Sequence, residues 1–238
     1  MDIDLNIIAI IPARGGSKRI PNKNIIDFCG KPMISWCIEE LLSIKEINSV
    51  YVSTDSPEIA LVAKKYGAKV PFYRTDFADD YSPVSLATVS MITNLEKKLM
   101  VKADVVIQVM PNCPLIKAKD IRAQLMNFIK LGVNNSVLSS CEYGMFNPHW
   151  AHIIKGTSNE RLFPEAFKVS RSQDLPKLLC PSGAVWISES KKLLESETFY
   201  SLDYVLFEHK WESVIDIDDL GDLKLATVVH HLNSTDEN

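Results

Sequence analysis

The stretch that most constrains the fold is Ile7-Ile8-Ala9-Ile10-Ile11, an unbroken apolar run followed at once by Pro12-Ala13-Arg14-Gly15-Gly16-Ser17-Lys18-Arg19-Ile20-Pro21-Asn22-Lys23-Asn24. A run without polar alternation buries both faces, as a parallel strand covered by helices on each side does. The next dozen residues are the opposite in character, with two glycines, two prolines and four cations. A loop at the carboxyl end of a buried parallel strand is where open α/β sheets bind ligands. Gly15 and Gly16 let the backbone approach an anion closely and turn N–H groups toward it. Arg14, Lys18, Arg19 and Lys23 add positive charge. The combination predicts a polyphosphate cradle. The plainer alternative is a solvated surface loop.

Neither common nucleotide loop is present. Gly30-Lys31 is followed by Pro32 where a Walker loop needs a hydroxyl, and Ile25 stands where its first glycine belongs. No G-x-G-x-x-G occurs. Beyond the loop, residues 33–43 carry apolar positions at helical spacing with Pro32 near the first turn. Residues 49–53 read as a second strand. Ser56-Pro57 then caps and opens a helix that ends at Gly67. Helices are further expected at 85–99, 118–131 and 220–232, and strands at 105–109, 135–141, 184–187, 204–207 and 213–217. Residues 69–73 read as a short extended piece, and 233–238 as a frayed polar tail. This rhythm predicts an α/β fold, doubly wound around a mostly parallel sheet.

At 238 residues the chain is one domain, 1–238, and the rhythm breaks only at 142–181, where aromatics and prolines crowd together. That segment reads as an inserted lobe whose exposed aromatics suit an interface; a ragged local mini-core is the alternative. The net charge of −4 gives no reason to expect nucleic-acid binding. Five scattered cysteines without a C-x-x-C pair suit reduced thiols in the cytoplasm. Nothing ahead of Ile7 reads as a signal peptide, and no apolar stretch reaches the ~20 residues a membrane span needs.

A second constellation lies near the carboxyl end, Ile215-Asp216-Ile217-Asp218. On an extended segment Asp216 and Asp218 share one face while Ile215 and Ile217 face the core. Two such carboxylates offer hard oxygens suited to Mg²⁺ held jointly with phosphates. The bland alternative is a solvated end ahead of the last helix. Asp55, ending the second strand, reads first as a turn or capping residue.

The segment Ala13-Arg14-Gly15-Gly16-Ser17-Lys18-Arg19-Ile20-Pro21, with Lys23-Asn24 and Phe28-Cys29-Gly30-Lys31-Pro32, resembles the acylneuraminate cytidylyltransferases and the related activators of legionaminic and pseudaminic acids. The likeness runs from about residue 7 to residue 226. It implies a Rossmann-like nucleotidyltransferase fold and a homodimer joined through the lobe. It also implies an Mg²⁺-dependent transfer from CTP to a nine-carbon α-keto sugar acid. By the same likeness Arg14, Gly15, Gly16, Ser17 and Lys18 hold phosphates, and Lys23 neutralises charge during transfer. Asn24 and Arg74 contact the base, and the loop reaching Ser85 completes the base pocket. Asp216 and Asp218 hold the metal.

The sugar side departs from the pattern. Met110 stands where the family has glutamine, Cys180 and Ser182 where it has arginine and asparagine, and Trp186 where it has tyrosine, while Arg171, with Gln173 close by, matches a family arginine. Met110, Arg171, Gln173, Ser182 and Trp186 are therefore the expected sugar contacts. The departures favour a nonulosonic acid more apolar than N-acetylneuraminate. Activation of an eight-carbon 3-deoxy-octulosonate, or a non-catalytic binding role, remain alternatives.

Overall fold

The structure is a computed structural model describing residues 5–236 other than 80, 145 and 170. Its core element is β1 (Ile7–Pro12), buried at every position. After the cationic loop, a small hairpin, β2 (Asp27–Phe28) with β3 (Lys31–Pro32), leads into α1 (Met33–Leu42). There follow β4 (Ser49–Ser53), α2 (Pro57–Lys65), α3 (Val84–Leu99), β5 (Val105–Val109), α4 (Ala118–Lys130) and β6 (Val137–Glu142). An exposed hairpin, β7 (His152–Lys155) with β8 (Ser158–Arg161), precedes β9 (Leu179–Glu189). The chain closes with α5 (Ser190–Ser196), β10 (Val205–Glu208) and α6 (Leu220–Asp236).

Six strands form one sheet in the order β10-β6-β9-β5-β1-β4. β9 runs antiparallel to β5 and β6, and the remaining pairs are parallel. β1 explains the layering. Ile7, Ala9 and Ile11 pack with Ile34, Ile38 and Leu41 of α1 and with residues of α2 and α4. Ile8 and Ile10 pack on the opposite face with Met91, Ile92 and Leu95 of α3 and Leu193 of α5. This is the doubly wound, mostly parallel α/β architecture expected from the sequence. The start of α2 forms as its residues dictate: the Ile59 N–H donates to Ser56 Oγ at 3.3 Å, and Pro57 occupies the first turn.

A third, smaller core places the site. Ile20 from the cationic loop, Phe28, Met33 and Leu115 meet Ile215, Ile217, Ala226 and Val229. One apolar cluster thus ties the loop after β1 to the segment ahead of α6.

Three expectations are corrected, and one is filled in. Residues 213–217 are not a strand: 211–214 make a 3₁₀ turn and 215–218 are extended outside any ladder. The Ile217 N–H donates instead to the Asn112 carbonyl at 2.9 Å. Residues 69–73 contribute only isolated bridges beside β4. α6 runs on to Asp236, with no Gly or Pro to stop it and Ser234 Oγ donating to the His230 carbonyl at 2.8 Å. The 142–181 lobe contains a hairpin whose two-residue loop, Gly156-Thr157, was the overlooked signal: Gly156 has φ 62°, as primed hairpin turns require.

Candidate active site

A concave pocket of about 510 Å³ opens at the carboxyl ends of β1 and β5. Arg14, Ser17, Lys18, Arg19, Lys23 and Asn24 line it from the loop after β1. Met110, Pro111 and Asn112 line it from the turn after β5, and Asp216 and Asp218 from the segment ahead of α6. The amino-terminal cations and the carboxyl-terminal acidic pair therefore share one cavity.

Gly15 works differently from the sequence expectation. Neither has a positive φ. The Gly15 N–H donates to Asp55 Oδ1 at 2.9 Å, so it braces the loop against the end of β4. A Cβ on Gly15 would stand 3.1 Å from Ser56 Cβ, whereas Gly16 has nothing within 4 Å. Gly15 is needed for close approach rather than for a left-handed turn. Asp55 is accordingly a brace of the loop, a role its turn-like sequence context concealed. Asn24 is also a brace: its Nδ2 donates to the Arg14 carbonyl at 2.9 Å from a buried position.

On the acidic side the alternation holds although no strand forms. Ile215 and Ile217 are buried, while Asp216 and Asp218 face the pocket. Lys23, 14% exposed, donates from Nζ to Asp218 Oδ1 at 2.9 Å and to the Ile217 carbonyl at 3.0 Å. Arg19 reaches Asp218 Oδ2 at 2.8 Å. Burial works to raise the Asp218 pKa, but Lys23 and Arg19 outweigh it and hold the carboxyl below its usual value. Asp216 behaves oppositely. The residue is exposed where it faces the pocket, yet the protein packed around its carboxylate withdraws much of the water from it. That desolvation, with the Asp218 charge beside it, pushes its pKa up to about 6, against the pull of Lys23.

These residues fit a magnesium ion. A partly desolvated carboxylate next to a second one is short of positive charge, and both offer hard oxygens to a space lined by four cations. Among the described residues no group of three or more His, Cys, Asp or Glu could hold a metal by itself. Phosphate oxygens would have to complete the shell, as is usual for Mg²⁺.

A second hollow of about 210 Å³ adjoins the first, sharing Pro12, Arg14 and Met110 and bounded by Arg74, Phe77, Asp79, Ser82, Val84 and Ala87. Arg74 is pinned by its N–H to the Thr54 carbonyl at 2.8 Å. Its Nε is buried without a partner, and burial lowers its pKa against the pull of Asp55. Asp79 folds the wall by accepting from the Tyr81 and Ser82 N–H groups at 2.7 and 2.8 Å and from Ser82 Oγ at 2.7 Å. Ser85 is buried in the first turn of α3 and lines neither hollow.

The expected sugar contacts divide. Met110 lies where the two hollows meet. Trp186 is buried against Phe199 and Tyr200, at 5.6 and 5.4 Å between ring centroids, and donates from Nε1 to the Ser182 carbonyl at 2.8 Å. Ser182 Oγ donates to Ser139 Oγ at 2.8 Å. Both residues shape β9 and line neither hollow. Arg171 and Gln173 are exposed on the lobe, Arg171 beside Asp174 at 3.7 Å, and line neither hollow.

Residues 8–209 match the family model described as cytidylyltransferase. A pseudaminic acid cytidylyltransferase of Campylobacter jejuni is 35% identical over 227 residues, spanning 95% of this chain and 97% of the relative. A CMP-N,N'-diacetyllegionaminic acid synthase of Legionella pneumophila is 33% identical, spanning 96% and 98%. Among solved structures, a CMP:2-keto-3-deoxy-manno-octonic acid synthetase complexed with CTP superposes with a TM-score of 0.71 at 19% identity, covering 96% of this chain and 99% of the other. That last likeness speaks to the fold.

Proposed function

The chain belongs to the cytidylyltransferase family, and on that premise we propose that it joins CTP to a nine-carbon α-keto sugar acid, giving the CMP-sugar and pyrophosphate. The observation that carries the reading is the single pocket in which Arg14, Ser17, Lys18 and Lys23 face Asp216 and Asp218.

The anomeric hydroxyl of the sugar acid attacks the α-phosphorus of CTP in line, and pyrophosphate leaves. The protein's work is positioning and charge neutralisation. Arg14, Ser17 and Lys18 hold the phosphates. Lys23, fixed at the floor between Asp218 and the Ile217 carbonyl, meets charge as it develops on the transferred group. Asp216 and Asp218 would hold Mg²⁺ together with phosphate oxygens; when bound, the ion neutralises those oxygens and lowers the pKa of the attacking hydroxyl. The base occupies the adjoining hollow, near Arg74 and the turn built by Asp79. Met110 gives the junction an apolar surface, which favours a deoxygenated nonulosonic acid of the pseudaminic or legionaminic kind over N-acetylneuraminate.

We further place the enzyme in the cytoplasm, on the support of five free thiols, and as a homodimer joined through the 142–181 lobe. Phe146 (81% exposed) and Ile154 (73%) there present apolar surface to solvent, with Leu162 and Phe163 nearby in the chain.

Pyrophosphate release measured with CTP, Mg²⁺ and a panel of sugar acids tests the function. Turnover with pseudaminic or legionaminic acid is expected. Turnover confined to eight-carbon acids, or none with any acid, overturns it.

A further inference from the structure

We propose that Asn112 is a positioning residue that aims the Asp216 carboxylate at the metal and the phosphates. This rests on the nucleotidyl-transfer reading of the pocket. The chain leaves β5 through a turn in which the Cys113 N–H donates to the Met110 carbonyl at 3.3 Å, with Pro111 at its second position. That geometry sets Asn112, 4% exposed, on the pocket wall.

Asn112 grips the acidic segment from both ends of one residue. Its carbonyl accepts from the Ile217 N–H at 2.9 Å, and its Nδ2 donates to the Ile217 carbonyl at 3.3 Å. The same Nδ2 donates to Asp216 Oδ1. The amide cannot be reversed, because its oxygen would then face a carboxylate and a carbonyl. The arrangement leaves Asn112 Oδ1 buried without a partner. A fold seldom carries an unpaired buried acceptor unless something offsets it. The offset here is a charge-assisted bond to Asp216.

The choice of an amide has its own logic. Asp218 is held by two cations, Arg19 and Lys23. A neutral donor on Asp216 fixes one oxygen without placing another positive charge where a divalent cation must sit. Partners of this kind orient a ligating carboxylate, and their loss weakens metal binding.

The test compares wild type with Asn112→Ala, Asp216→Asn and the double variant. Mn²⁺ binding to the protein–CTP mixture without sugar acid is read by electron paramagnetic resonance, so no turnover is needed. Asn112→Ala is expected to weaken Mn²⁺ binding about 10-fold, within the range seen for outer partners of metal ligands. In the Asp216→Asn background the same change should add nothing. In turnover, Asn112→Ala should lower kcat at limiting Mg²⁺, with excess Mg²⁺ restoring it and the KM for CTP little changed. Asn112→Ser, which keeps a short donor, should fall between the two and covers the case in which the alanine variant fails to fold. Wild-type Mn²⁺ affinity in both Asn112 variants, or additive losses in the double variant, overturns the proposal. Failure of the wild-type protein to bind Mn²⁺ with CTP would instead sink the parent reading of the pocket.

Discussion

Lys23 and Asp218 meet in the pocket, where the catalytic role proposed for the lysine would add to its part in the fold. Lys23 bridges a carboxylate and a carbonyl of the segment ahead of α6 from a nearly buried position. Replacing it with alanine should lower kcat by about 10²–10³, the loss typical of a preorganised charge stabiliser, while CTP affinity changes little. Steady-state kinetics beside equilibrium CTP binding decides this, and near-normal turnover would remove Lys23 from the mechanism. Asp216 gives a second, pH-dependent outcome. Its folded-state pKa of about 6 lies above the ~3.9 of an unfolded aspartate, so ionisation works against the native state. The metal-free protein should therefore lose this penalty as pH falls from about 6 toward ~4. Asp216→Asn should accordingly raise the thermal midpoint at pH 7 and give a smaller advantage at pH 4.5. An equal advantage at both pH values would show that Asp216 carries no penalty.

At the scale of elements, the feature that shapes this end of β9 is an irregularity where it pairs with β6. Leu138 faces Trp186 and Ser140 faces Pro181, so residues 182–185 have no partner on β6, although Val185 still pairs with Val109 of β5. Side chains satisfy the backbone groups this frees. Ser139 Oγ donates to the Ser182 carbonyl and accepts from the Val185 N–H, both at 3.0 Å. Gln124 Nε2 donates to the Val137 and Val185 carbonyls, both at 3.0 Å, and Gln124 Oε1 contacts buried His209 Nε2 at 2.7 Å. The bulge brings Gly183 beside the pocket, where an added Cβ would lie 3.5 Å from Met110 Cγ and 3.6 Å from Asp216 Oδ2. Ser139→Ala strands at least one buried backbone group and should cost about 1–3 kcal/mol. Urea denaturation should show a lower midpoint with an unchanged slope. A midpoint equal to wild type would mean the bulge is held without that hydroxyl.

This element also explains what was legible in the sequence. β1, the Ser56-Pro57 helix start and the Ile/Asp alternation at 215–218 were readable because each follows from local periodicity or capping. The roles of Ser182 and Trp186 were not. They depend on Ser139 and Phe199, partners distant in the chain. Asp216 and Asp218 were assigned a strand because period-2 alternation marks extended backbone whether or not a ladder forms. Asn112 was passed over, and Asp55 read only as a turn or capping residue, because turn-forming residues carry no periodic signal.

For the whole molecule, the hairpin of β7 and β8 is exposed at every position, and the lobe packs little of its apolar surface on its own chain. A second copy covering that surface predicts a sedimenting species of twice 26.8 kDa. Ile154→Asp combined with Phe146→Asp should convert it to a single chain, since a buried unpaired charge is strongly unfavourable at an interface. Wild-type protein sedimenting as a single chain would rule out the dimer.

The pairing of Arg19 and Lys23 with Asp218 has a wider consequence. At rest these cations are already quenched by an internal counterion, so stray anions of the cell find a muted lure there. On the proposed reaction, a nucleotide arriving with a divalent ion would let the carboxylate turn to the metal while the two cations turn to the phosphates. On that reading the site would favour a metal–nucleotide couple over negative charge in general.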